Sequence, residues 1–127
     1  MELELAPDVQ KRLNIIQKKL QLPHIDPKRI VCFRSRKSKA RARARIWAFP
    51  RIWQMALKKP AHYCIEVLAE KFDHLRENDK NRIIIHELMH IPKNFSGALL
   101  PHRNRGRVVI NRRSVEQLFK QFKKKRK

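Results

Sequence analysis

Long apolar runs and a cysteine framework are both absent from this 127-residue chain. No stretch of about 18 apolar residues occurs, which excludes a membrane-spanning helix. The amino terminus, Met1-Glu-Leu-Glu-Leu5, lacks the basic and then apolar order of a secretion signal. Cys32 and Cys64 are too few for a disulfide scaffold and fit a reducing compartment. These absences predict a cytoplasmic protein with no membrane partner.

Acidic residues are also scarce, at 11 against 32 Lys and Arg, so the formal net charge is +21. Residues 27–60 carry twelve bases and no acid, and residues 101–127 carry eleven bases and one acid. The rest of the chain is nearly neutral. A solvated surface of the heat-adapted type usually interleaves acids with its bases. The shortage of acids therefore favours a polyanionic partner, above all nucleic acid.

The hydrophobic pattern is sufficient for one packed domain, with 42% hydrophobic residues. A helix is predicted over residues 8–22, because Val9, Leu13, Ile16 and Leu20 share one face. Short β-branched or aromatic runs predict strands at residues 29–33, 43–49 and 62–68. The first two are expected to form a hairpin with its loop near residues 36–40. Arg41, Arg43 and Arg45 alternate with alanine, so an extended chain would place them on one face.

The second half of the chain predicts two helices separated by a long loop. The first begins at Asn78 or Asp79, runs through His90 and ends before Pro92. The loop spans residues 92–113 and contains an extended piece at 108–110. The last helix has an apolar face, for which we expect a Ser114-x-x-Gln117 capping box. Its apolar residues are Val115, Leu118, Phe119 and Phe122.

The first of these helices carries the motif His86-Glu87-Leu88-Met89-His90. Its i, i+4 spacing places both imidazoles on one helix face, where they can share a metal ion. Glu87 adjoins His86, where a carboxylate can accept a proton from a metal-activated water. The alternative is a pair of buried histidines satisfied by hydrogen bonds. A catalytic zinc site needs a third protein ligand. The candidate is His102 in the following loop, and its rivals are His24, His62 and His74.

The stretch from His86 to His102, HELMHIPKNFSGALLPH, resembles the signature of a metallopeptidase-like family found in archaea and some phages. Gly106, the run Asn111-Arg112-Arg113, and the segments at residues 31–36 and 44–53 also resemble that family. More distantly, the chain is similar to the SprT-like minimal zincins. The resemblance implies Zn²⁺ held by His86, His90 and His102, with Glu87 as the base. It implies a metal-binding fold without establishing peptidase activity.

The basic residues predict contacts with RNA, and Trp47, Phe49 and Trp53 belong either to the core or to base-stacking surfaces. The predicted RNA-binding residues are Arg34, Arg36, Lys37, Lys39, Arg41, Arg43, Arg45, Arg51, Arg103, Arg105, Arg107, Arg112, Arg113, Lys123, Lys124, Lys125, Arg126 and Lys127. Because small, very basic proteins with long arms are typical of ribosomes, ribosomal RNA is the expected partner, with neighbouring ribosomal proteins beside it.

The sequence thus predicts an α+β fold with an N-terminal helix and a small antiparallel sheet of three or four strands. The metal helix, a long loop and a C-terminal helix follow, as in zincins. Residues 1–122 form one zincin-like domain, and residues 123–127 form a basic tail. The predicted function is an RNA-binding, ribosome-associated zinc protein with a metallopeptidase-like fold. The alternative is a zinc metallopeptidase that uses Glu87 to activate water.

Overall fold

The computed structural model describes residues 1–104 and 108–124. The strands are β1 (Glu2–Leu5), β2 (Ile30–Arg36), β3 (Ala44–Ala48), β4 (Tyr63–Leu68), β5 (Arg103–Asn104) and β6 (Val108–Val109). The helices are α1 (Pro7–Leu20), α2 (Arg51–Leu57), α3 (Ala69–Phe72), α4 (Glu77–Met89) and α5 (Arg112–Lys124), with a 3₁₀ turn at Pro27–Arg29. The α+β class and the general layout are confirmed. None of the helices in these residues is long and apolar enough to cross a membrane.

The main sheet has the order β1-β2-β4-β3 and is mixed. β2 and β4 run parallel, whereas β1 and β3 pair antiparallel with their neighbours, so the expected all-antiparallel sheet is wrong in one pairing. The expected hairpin of β2 with β3 is also wrong, because β4 lies between them. Every residue of β4 except Cys64 is buried, and this most apolar strand takes an inner position, where both of its edges pair with neighbouring strands.

The core lies between one face of the sheet and the helices. The predicted face of α1 is confirmed, since its four apolar residues Val9, Leu13, Ile16 and Leu20 are its buried residues. α4 buries Ile84, Ile85 and Leu88 in the same core. α5 adds Val115, Phe119 and Phe122. The metal-motif helix is therefore held firmly on its apolar side, which leaves its other side to form a site.

Helix ends differ in detail from the expected positions. α4 begins at Glu77 with Arg76 as its N-cap residue, and His90 is its C-cap residue. A capping box does open α5, but its partners are Asn111 and Ser114. The Asn111 Oδ1 accepts from the Ser114 N–H, and the Ser114 Oγ accepts from the Asn111 N–H, each at 2.9 Å. The Ser114–Gln117 pairing expected from the sequence is therefore shifted by one turn, and α5 continues to Lys124.

Candidate metal centre

Three histidines converge at the exposed side of α4. The rings of His86 and His90 lie one helical turn apart, with their centroids separated by 5.2 Å. The ring of His102, from the loop after α4, lies 5.2 Å from His86 and 4.7 Å from His90. One ligand nitrogen from each ring lies within 4.8 Å of the others. The structure thus brings together the three histidines that the sequence singled out.

Backbone hydrogen bonds hold His102 in this position although it lies in a loop. The Leu100 N–H donates to the His90 carbonyl oxygen at 2.7 Å, which ties the loop to the end of α4. The Ile110 N–H donates to the His102 carbonyl oxygen at 2.8 Å. Directly after His102, β5 and β6 form an antiparallel ladder, and Ile110 at its end is buried. The chain is therefore fixed on both sides of the third histidine.

A backbone carbonyl orients the second histidine. The Nδ1 atom of His90 lies 2.5 Å from the Leu100 carbonyl oxygen, which can accept its proton. With Nδ1 engaged in this way, Nε2 is the nitrogen of His90 that remains available to a metal. A carboxylate often takes this role in metal sites, whereas here a main-chain oxygen does so. A carbonyl carries no residue-type signal, so the sequence could not have revealed it.

The donor set fits a zinc-type cation. The Nε2 atoms of His86 and His102 lie 3.1 Å apart. Two nitrogens bound to one tetrahedral zinc ion at its usual bond lengths lie about 3.3 Å apart. Burial, and then the neighbouring His90 and His102, lowers the pKa of His86 to about 4. His86 is therefore neutral at physiological pH and presents a lone pair, as a metal ligand must.

Glu87 lies beside this cluster in a buried position. Only 8% of the residue is exposed, and it lines the same groove as the three histidines. Among the described residues no hydrogen bond to its carboxylate is formed. Burial raises the pKa of Glu87 to about 7. A carboxyl group with a pKa near neutrality can both accept and release a proton under physiological conditions.

The groove beside the histidines has a volume of about 640 Å³ and is open along one side of the sheet. Residues 42–46, which include the start of β3, form one wall, and residues 99–102 form another. α4 contributes Ile83 and the metal motif to its floor. Because β3 is an edge strand of the main sheet, the groove runs beside backbone groups that no described strand pairs on that side.

The rival histidines lie elsewhere. His24 lines a separate apolar cavity, and Nδ1 of His62 contacts the Pro60 carbonyl oxygen. His74 is absent from the groove lining. Tyr63 is 1% exposed, is absent from the groove lining and binds the loop that follows α4. Its hydroxyl donates to the Ala98 carbonyl oxygen at 2.8 Å and accepts from the Gly97 N–H at 2.9 Å.

The acid-free segment 27–60 acquires acidic neighbours in the folded chain. Arg34 binds Asp8 and Asp73, and only 12% of its side chain is exposed. The hydrogen bond with Arg34 lowers the pKa of Asp8. Three more of its bases pair with acids of other elements: Arg36 with Glu4, Lys37 with Glu2, and Arg45 with Glu66. The segment itself contains no acid, as the sequence shows. The inference that its bases lack acidic neighbours in the folded protein is wrong for these four bases.

The other predicted RNA-binding residues are exposed where the structure describes them. β3 begins at Ala44, so Arg41 and Arg43 precede the strand and the expected shared face of three arginines is limited to Arg45 within it. Of the predicted RNA-binding residues, those that are exposed and form no ion pair in the described part of the chain are Lys39, Arg41, Arg43, Arg51, Arg112, Arg113, Lys123 and Lys124. The side chain of Arg103 and the whole of Arg105, Arg107, Lys125, Arg126 and Lys127 lie outside the described residues. RNA contact by these residues stays a prediction.

Comparison with known proteins agrees with the geometry of the site. No curated protein and no solved structure matches the chain. The family model described as "Putative phage metallopeptidase" matches residues 1–123, which include the three histidines, Glu87 and every strand of the main sheet. The match covers nearly the whole chain, and it confirms the resemblance seen in the sequence. The chain therefore belongs to this phage metallopeptidase family.

Proposed function

We propose that this chain is a zinc-dependent peptidase that cleaves extended polypeptide segments. The observation that carries the proposal is the convergence of His86, His90 and His102 beside the buried Glu87 in an open groove. Family membership supports the same reading. Neither the geometry nor the comparisons support the RNA-binding, ribosome-associated function that the net charge favoured. The alternative drawn from the sequence therefore becomes the better-supported function.

Three neutral imidazoles would hold the zinc ion, with His90 fixed through its contact with Leu100 and His102 fixed by the flanking backbone hydrogen bonds. When bound, zinc supplies Lewis acidity that makes water nucleophilic at neutral pH and polarises a carbonyl group. Three protein ligands leave a coordination position for the reacting groups, as in other catalytic zinc sites. The site thus has the ligands that this chemistry requires.

Glu87 would move the proton. Its carboxylate lies in the groove wall and is shielded from bulk water, so it can take a proton from the attacking water and deliver it to the departing amine. Burial makes this carboxylate more basic than an exposed one, which suits it to accept the proton and then pass it on. The catalytic role of Glu87 therefore rests on its position and its environment.

The substrate would bind along the exposed edge of β3. An extended peptide can add to an exposed sheet edge through main-chain hydrogen bonds, which recognise backbone in preference to particular side chains. β3 runs beside the groove that contains the histidines, so a peptide paired with it would pass the metal centre. Folded proteins rarely present free extended backbone, and unfolded segments are the expected substrates.

The test compares wild type with Glu87→Gln and with Glu70→Gln as a matched control. Glu70 is an exposed acid outside the groove, so its variant controls for the loss of one negative charge. Zinc-loaded wild type and Glu70→Gln should cleave unfolded casein, and Glu87→Gln should be slower by about 10²-fold or more while retaining zinc. Absence of cleavage by zinc-loaded wild type, or equal rates for the two variants, would refute the proposal.

A further inference from the structure

The main sheet has an apolar face that the core does not use. In the register of the sheet, Leu5 lies beside Phe33, and Val31 lies beside Cys64, which in turn lies beside Trp47. We call this surface the outer sheet face, and its members are Leu3, Leu5, Val31, Phe33, Trp47 and Cys64. The helices pack against the opposite face. Leu3, Leu5 and Trp47 are 58%, 64% and 51% exposed, so no described segment covers them.

Glu66 lies within this face, and its carboxylate is hydrogen-bonded to neighbouring side chains of the chain itself. Glu66 has a side chain that is only 4% exposed. Its carboxylate accepts from Arg45 Nε at 2.8 Å and from Trp47 Nε1 at 2.9 Å. The Arg45 guanidinium also lies 5.0 Å from the Trp47 ring. Because the indole N–H is already used, the part of Trp47 that faces solvent is apolar, and an occupant of this face would meet hydrocarbon.

The surface around Trp47 is concave on two sides. One hollow of about 300 Å³ is lined by Met1, Leu3, Phe33, Cys64 and Glu66 together with Trp47. A second hollow of about 350 Å³ is lined by Trp47, Cys64, Phe49, Tyr63 and neighbouring residues, including Lys59. Adjoining hollows separated by one indole ring suit two inserted side chains. A flat lipid surface would leave both hollows empty.

α2 lies in the chain between Phe49 and Lys59, which both line the second hollow, and it also exposes apolar side chains. None of its residues is buried, and four large apolar side chains are exposed on it: Ile52, Trp53, Met55 and Leu57. Its attachment is polar, since Gln54 donates to the Phe49 and Ser96 carbonyl oxygens. A helix that exposes these side chains contributes little to the core, and large exposed apolar side chains gathered on one short helix are typical of interaction sites.

The charge at the rim indicates the chemistry of the occupant. Arg51 is the first residue of α2, and Lys58 and Lys59 follow its last residue; all three are exposed. None of them takes part in an ion pair among the described residues, which include all eleven acids of the chain. A second copy of this chain would bring the same cations and a charge of +21 to the contact. Charge complementarity therefore favours an acidic partner.

We propose that the outer sheet face and α2 together form a docking site for an acidic segment of a partner protein. The segment inserts two apolar side chains into the hollows on either side of Trp47. Its carboxylates lie against Arg51, Lys58 and Lys59. This site is separate from the metal groove and does not depend on peptidase activity.

The experiment is a selection from a displayed library of random 16-residue peptides on the zinc-loaded full-length chain. Selected peptides are resynthesised with a fluorophore, and their affinities are measured by anisotropy for wild type, Leu5→Lys, Met55→Lys and Lys59→Glu. Ile15→Lys is the matched control, because Ile15 is a similarly exposed apolar residue on α1, away from this face. Exposed positions were chosen so that each variant keeps the folded core, which thermal unfolding verifies.

We expect selected peptides to contain several acids and two apolar residues, and to lose at least about tenfold in affinity with the three face variants but not with Ile15→Lys. Enrichment of neutral or basic peptides, or equal binding by all variants, would overturn the proposal. So would the failure to select any peptide that distinguishes Leu5→Lys from Ile15→Lys. Binding to phosphatidylglycerol vesicles that Leu5→Lys and Met55→Lys abolish, without selected peptides, would assign the face to a membrane instead.

Discussion

The buried carboxylate of Glu87 should make the metal-free protein less stable as the pH rises. Burial raises the pKa of Glu87 from 4.5 to about 7, and in the unfolded chain its pKa returns to the ordinary value. Between these values the unfolded chain has released its proton while the folded chain retains it. The free energy of unfolding therefore falls as the pH increases from about 4.5 to 7 and is lowest above that range. Glu87→Gln removes this dependence because glutamine does not titrate.

The size of the effect follows from the difference between the two pKa values. Each unit corresponds to about 1.4 kcal/mol, so the ionised carboxylate destabilises the folded metal-free chain by about 3 kcal/mol above neutrality. At pH 4.5 and below, the protonated carboxyl group resembles the amide in shape and hydrogen bonding, and the two proteins should have similar stability. At pH 8, Glu87→Gln should be more stable than wild type by about 3 kcal/mol.

The assay is urea unfolding of both proteins in the presence of a chelator, across the range from pH 4.5 to 8.5. His86 also titrates with a lowered pKa, but it does so in both proteins and cancels in the difference. A difference in unfolding free energy that stays constant over this range would refute the reasoning, because it would mean that Glu87 is solvated in the folded chain. Zinc should reduce the difference, since a nearby cation favours the ionised carboxylate.

Three further perturbations test the site and its loop. Zinc at 100 times its Kd should raise the free energy of unfolding of wild type by about 2.7 kcal/mol and that of His90→Ala by far less; equal shifts in calorimetry would contradict the ligand assignment. Gly97→Ala should cost more than about 1 kcal/mol in urea unfolding, because Gly97 has φ +95° and its Cβ would collide with Gln54; unchanged stability would refute this. Tyr63→Phe should lower the free energy of unfolding by about 1–2 kcal/mol in the same assay. It should also increase the rate of amide exchange in the loop at Ala98, because the hydrogen bond to the Ala98 carbonyl oxygen is lost.

The helices were predictable because their sequence pattern follows from the core that they face. The apolar spacing of α1 identified all four of its buried residues, and that of α5 identified three buried positions and the partly buried Leu118. Their exact ends were less predictable. Several polar residues in a row can each act as a cap, as at Asn111 and Ser114, and the choice depends on where the preceding chain enters the helix.

Strand pairing was not predictable from local pattern. The runs that became β2 and β3 resemble a hairpin, but both pair with β4, which lies later in the chain. Strand propensity indicates that a segment is extended, but it does not indicate which other strand the segment pairs with. β1 was missed altogether because it has four residues, all exposed, and is held by pairing with β2. Such contacts between distant segments appear only in the folded chain.

The three histidines of the candidate metal centre were predictable from the sequence, whereas the groups that hold these histidines in position were not. His86 and His90 follow from helix periodicity, and His102 was the candidate in the following loop, which the resemblance also implied. The supports are the Leu100 carbonyl oxygen and the hydrogen bonds of the β5–β6 segment, which are main-chain groups. Every residue type carries a carbonyl group, so residue identity gives no signal of which one lies beside a histidine.

A net charge counted along a segment of sequence can differ from the net charge of the surface that this segment forms in the folded protein. Segment 27–60 contains no acid, yet acids from β1, α1, α3 and β4 reach its bases once the chain folds. Those bases have acidic partners in the folded chain. The exposed bases that have no such partner lie at particular places, among them the ends of α2. A nucleic acid would require an extended track of such cations to match its phosphates. The proposed docking site instead has cations at the rim of an apolar surface with two hollows. Such cations would match the carboxylates of an acidic segment whose apolar side chains enter the hollows.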